Sequence, residues 1–197
     1  MLNIKKRLDN LQFINISTDE FTIFEWKPAR SYKSFILDLN ICKQNPVSDI
    51  FFHMDKGNLK IVHIRKGNLI YSAGSNIEMQ FQLLEAIIEQ VSVEFNKKYA
   101  VDYILSYENF SSGIFNKFEV EIENMLTNFE KLDLIKVINI PCIVCDVIKP
   151  LIVKKSFIKN AESYPVPIVY THDGHAILCF IDKNFDVRGV ELVHITG

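Results

Sequence analysis

Between residues 50 and 98 the spacing of apolar positions changes once, from a period near two to a period near 3.6. That change predicts three strands followed by one long helix. IFFHM at 50–54, LKIVHIR at 59–65 and LIYSA at 69–73 are the strands. They are joined by two near-identical turns, Asp55-Lys56-Gly57-Asn58-Leu59 and Arg65-Lys66-Gly67-Asn68-Leu69. Glycine supplies the positive φ that tight hairpin loops demand, so the repeat predicts two hairpins. Ile77, Phe81, Leu84, Ile88, Val91 and Phe95 then form one apolar stripe, widened by Leu83 and Ile87. Gln82, Glu85, Glu89 and Ser92 fall on the opposite, solvated side. Ser75-Asn76-Ile77-Glu78 has the form of a capping box and predicts a helix over 77–98, with Lys97-Lys98 at the negative end of its dipole. A coiled-coil seam has similar spacing, but strands on both sides favour packing on a sheet.

Outside this stretch the pattern is less regular. Leu2, Ile4, Leu8 and Leu11 predict a short helix within residues 2–12. FTIFEW at 21–26 and KSFILDLNIC at 33–42 predict strands, separated by Lys27-Pro28-Ala29. VDYILSY at 101–107 predicts another strand. Phe115, Phe118, Ile122, Met125 and Phe129 predict a second helix over 113–130. Beyond 131 the texture is β: LIKVINI, CIVCDVI, LIVKKSF, PVPIVYTH, HAILCFI and VRGVELVHI, with hairpin turns at His172–His175 and Asp182–Phe185. The fold expected is α+β, a mainly antiparallel sheet packed by two amphipathic helices with a β-rich C-terminal extension. Residues 1–130 form the sheet-and-helix part. Residues 131–197 form the extension, either within the same domain or beside it.

The order of meander, long helix, strand and second helix resembles the longin-type and roadblock-type domains of the broad profilin-like architecture. FFHMDKGNLKIVHIRKGNLIYSAGSN, IEMQFQLLEAIIEQVSVEFNKKY and VDYILSYE carry the resemblance, within residues 33–130. They are similar to the sheet-then-helix segment of small and medium chains of vesicle-coat adaptors. The resemblance implies a non-enzymatic platform for protein partners, often small GTPases or other trafficking subunits, and it transfers no site residue. The chain departs from the longin pattern in lacking an early helix between 21 and 50 and in carrying the β-rich tail.

Composition narrows the function classes. Apolar residues make up 48 % of the 197, which fits a packed core and excludes disorder. A net charge of −2 gives no field to recruit nucleic acid. Residues 75–130 hold ten carboxylates against three bases, a net −7, while the remainder has 19 bases and 14 acids, a net +5. The acidic faces are solvated surface or a docking surface for a basic partner. No stretch approaches the ~20 apolar residues of a membrane helix. Lys5-Lys6-Arg7 is followed by no apolar run, and four cysteines form no disulfide framework, so a reducing, cytoplasmic setting is expected.

Candidate chemistry is sparse. Cys142-Ile143-Val144-Cys145 has the C-x-x-C spacing of zinc knuckles and redox pairs. Read as part of a β-branched strand, its cysteines point to opposite faces, and no second C-x-x-C exists, so they are expected to be core cysteines. Thr171-His172-Asp173-Gly174-His175 is the one dense run of ligand-capable side chains. His172, Asp173 and His175 are its candidates for a polar site, against the simpler expectation of an exposed Asp-Gly turn. His53, His63 and His194 fall in predicted strands, and Lys154-Lys155 is a small basic cluster. No catalytic residue, cofactor or metal is assigned. The expected function is a cytoplasmic protein-interaction module, a scaffold or subunit of a trafficking- or GTPase-associated complex. Its protein partner is unidentified and a homo-oligomer is left open. Two alternatives stand beside it: a small-molecule sensor or enzyme with a pocket between sheet and helix, and a subunit of a phage, toxin-neutralising or secretion assembly.

Overall fold

The computed structural model describes residues 4–29, 47–100 and 112–193. The expected strands at 33–42 and 101–107, with Cys42 and His194, lie outside these residues. The chain is α+β and divides into two compact units, Asn3–Leu132 and Asp133–Gly197.

In the first unit a short helix α1 (Ile4–Leu8) leads into strands β1 (Leu11–Ser17) and β2 (Thr22–Trp26), then the meander β3 (Phe51–Lys56), β4 (Leu59–Lys66) and β5 (Leu69–Asn76). These make one antiparallel five-stranded sheet in the order β2-β1-β5-β4-β3. Lys56 pairs with Leu59 and Lys66 with Leu69 across two-residue loops, and Gly57 and Gly67 hold φ of 62° and 58°. Positive φ at the first loop position is the type II′ pattern that glycine makes cheap.

The helix expected over 2–12 ends at Leu8, and strand β1 takes over from Leu11. Six of its seven residues are buried, so apolar side chains on both faces erase the alternation that marks a strand. The capping box is also not used. Ser75 sits in β5, paired with Leu11 and Lys60, and its hydroxyl donates to the Asn76 carbonyl. The Asn76 side chain instead accepts the Glu78 N–H, and helix α2 begins four residues later than expected, spanning Phe81–Lys98. Ile77 is therefore left exposed.

Helix α2 packs on β4 and β5. Leu84, Ile87, Ile88, Val91 and Phe95 are buried, each worth about 1.5–3 kcal/mol. The supposed solvent side is not wholly solvated, because Glu85 and Ser92 are buried too. Glu85 reaches His53 Nε2 at 2.8 Å, and the His53 ring stacks on Phe81. The second helical stretch splits into a 3-10 turn at Ser112–Phe115, helix α3 (Phe118–Thr127) and a 3-10 turn at Phe129–Leu132. Its predicted stripe, Phe115, Phe118, Ile122, Met125 and Phe129, is buried throughout. Phe118 meets Phe24 and Phe95 edge-on.

The second unit consists of a hairpin of β6 (Ile135–Cys142) and β7 (Val147–Lys154), a short helix α4 (Lys155–Lys159), and a three-stranded sheet of β8 (Val166–His172), β9 (His175–Ile181) and β10 (Val187–Leu192) in the order β10-β9-β8. LIVKKSF thus turns from strand to helix at Lys155. The core gathers Ile140, Leu151, Val153, Ile158, Ile168 and Ile177 from all parts of the unit. Asp182 closes the β9–β10 turn by accepting the N–H groups of Asn184 and Asp186 and binding Arg188.

Candidate metal centre

Two hairpin ends of the second unit meet at one point. The first is the β6–β7 loop. Cys142 pairs with Val147 and encloses Ile143–Asp146, so Cys145 lies in a tight turn rather than on a strand. Asp146 adopts φ of 54° to close the turn, and its N–H donates to the Cys142 carbonyl at 3.0 Å. The turn aims backbone donors at sulfur. The Val144 N–H lies 3.4 Å from Cys142 Sγ, the Cys145 N–H joins it, and the Val147 N–H donates to Cys145.

The second is the β8–β9 loop. His172 and His175 are cross-strand partners around Asp173-Gly174, whose φ values are 47° and 76°. Two consecutive positive φ angles make the type I′ turn that Asp-Gly favours. Paired residues of a hairpin share one face, so both imidazoles project to the same side. Their rings lie 5.4 Å apart at 82°, and Tyr170 stacks on His172.

The four ligand atoms of Cys142, Cys145, His172 and His175 all fall within 4.8 Å of one another. A tetrahedral zinc ion, with bonds near 2.3 Å to sulfur and 2.0–2.1 Å to nitrogen, needs edges of roughly 3.3–3.8 Å. The Cys145 Sγ to His172 Nε2 separation is already 3.5 Å. The longest edge closes with a shift of about 1 Å.

Electrostatics suit a cation. Burial opposes ionisation of Cys142, but the N–H groups of Cys145 and Val144 outweigh it and hold this thiol below its ordinary value. Burial, and then the hydrogen bond its thiol donates to Cys142 Sγ, push Cys145 up. The pair thus yields its first proton readily and keeps the second until a cation displaces it. Burial, then the Lys149 cation, hold His172 below the usual imidazole value, which keeps it neutral and able to ligate. Nδ1 of His172 and Nδ1 of His175 are buried without a hydrogen-bond partner. A metal takes one nitrogen from each ring, and the 3.5 Å edge gives that place in His172 to Nε2, so of the two orphans only Nδ1 of His175 is open to it. An S2N2 donor set in tetrahedral reach is the choice of zinc.

The sequence candidates divide at this point. His172 and His175 belong to the site. Asp173 does not; its exposed carboxylate binds Lys149 Nζ at 2.7 Å. That ion pair ties strand β7 to the histidine loop. Cys142 and Cys145, read separately as core cysteines, complete the set. Taken as one pattern, C-x2-C followed after 26 residues by H-x2-H, the ligands were on the page. Reading the two pairs apart hid it, as did assigning Cys145 to a strand. His53 and His63 lie in the other unit, and Lys155 pairs with Asp133. No protein-family model and no curated protein matches the chain.

Proposed function

We propose that Cys142, Cys145, His172 and His175 hold one zinc ion as a structural centre, within a non-enzymatic protein-interaction module. The convergence of four ligand atoms within 4.8 Å carries the zinc reading. Four protein ligands fill a tetrahedral zinc and leave no position for substrate or activated water, which is the pattern of structural sites. Two thiolates and two neutral imidazoles also balance the charge of the ion. The unit has reason to need a staple. Asp133–Gly197 is a 65-residue β-rich body, and cores of that size supply only a few kcal/mol unaided.

The interaction role rests on the first unit. Its five-stranded antiparallel sheet with an amphipathic helix laid on one face supports the longin- or roadblock-like reading. A partner of the small-GTPase or trafficking class follows from that likeness. Free thiols at a zinc site fit a reducing compartment, the cytoplasm.

Native mass spectrometry of the chain purified without chelator tests both parts. One zinc per chain is expected, lost in Cys145→Ser and His172→Ala and retained in His53→Ala. A metal-free chain, or zinc that survives both ligand substitutions, overturns the centre. A co-purifying protein chain supports the interaction reading, and a bound metabolite instead moves the function to a small-molecule sensor.

A further inference from the structure

Resting on the zinc reading, we propose that the centre is a thiol switch: a hydroperoxide joins Cys142 to Cys145 and expels the metal. The geometry singles out one pair. The two thiols already contact one another, on a turn of four residues between paired strand ends. Cys142 is buried at 2 % exposure, whereas Cys145 is half-buried and flanked by exposed Val144 and Asp146. A small oxidant therefore meets Cys145 first, with Cys142 poised behind it as the resolving thiol. Cys179, the other cysteine among the described residues, is fully enclosed in the core of the unit. It is shielded from both steps, and burial pushes its thiol up to about 11.

The chemistry balances with hydrogen peroxide as the oxidant. The Cys145 thiolate attacks one peroxide oxygen, the O–O bond breaks, and hydroxide leaves to become water with a solvent proton. The sulfur is then a sulfenic acid. The Cys142 thiolate attacks that sulfur, the S–S bond forms, the S–O bond breaks, and a second hydroxide takes a second proton. Two sulfurs lose two electrons, one peroxide becomes two waters, and zinc departs with its double charge because two of its four ligands are gone. Reduction of the disulfide by a dithiol restores the set.

The test uses the full zinc-loaded chain and hydrogen peroxide, with zinc release followed by a chromogenic chelator. Free thiols are counted and the disulfide is located by peptide mapping. The expected result is one zinc released per chain together with two thiols lost, a Cys142–Cys145 link, and recovery with dithiothreitol and zinc. Cys179→Ser is expected to behave identically. A chain that carries no zinc before peroxide is added overturns the zinc reading and this inference with it. A zinc-loaded chain that keeps its metal under peroxide, or that links any other pair, Cys42 included, overturns this inference alone.

Discussion

At the scale of single residues, two positions in the first unit show how little latitude the sheet leaves. A Cβ built on Gly74 would lie 2.0 Å from the Phe13 ring, its cross-strand partner, and that ring is itself buried. Gly74→Ala must displace an enclosed aromatic, so a loss of about 1–3 kcal/mol is expected in chemical denaturation. His63 is buried on β4, with neither ring nitrogen hydrogen-bonded. Burial first, then the nearby His53 and Arg65, hold its pKa below 6.5. The unfolded chain takes up this proton first as pH falls. Stability from His63 is thus complete above pH 6.5 and declines as pH drops towards the lowered folded value. Denaturation midpoints should fall between pH 7.5 and pH 5, and His63→Leu should flatten that slope.

The helices were legible because burial has one side: the stripes of α2 and α3 show period 3.6 where each lays one face on a core. The meander was legible through its repeated glycine turns, although β5 is buried at seven of its eight positions. Strand β1 is also buried on both faces but has no glycine turn to mark it, so its period carried no message. Ser75 misled for a different reason. A serine followed three residues on by glutamate caps a helix only if the serine is free, and the sheet had already taken it. The His172–His175 hairpin could be read as a turn, but the Cys142–Cys145 loop reads as strand because Ile143 and Val144 are β-branched, and the meeting of the two depends on a shared core across 26 intervening residues. The Lys149–Asp173 pair spans that meeting from strand to loop. Lys149→Met should weaken zinc binding by about two- to five-fold, in line with an exposed ion pair, and Lys149→Arg should restore it. Competition against a calibrated chelator measures this, and an unchanged affinity would leave the pair as surface decoration.

For the whole molecule, the two units differ in what holds them together. The first closes around aromatic and aliphatic contacts among sheet and helices, the second around a smaller core with the four-residue Cys/His cluster at one end. Added chelator should therefore lower the melting of residues 133–197 while leaving residues 4–132 unchanged, which hydrogen exchange resolved by peptide can read separately. A uniform shift across both would contradict a staple confined to one. Among the described residues, no helix is long and apolar enough to cross a membrane.

The closed ligand set has one more consequence. Cobalt(II) placed in this centre would be coloured by its two sulfurs and would stay tetrahedral. With every position taken by the chain, azide or cyanide has nowhere to bind, and titrating either should leave the visible spectrum unmoved.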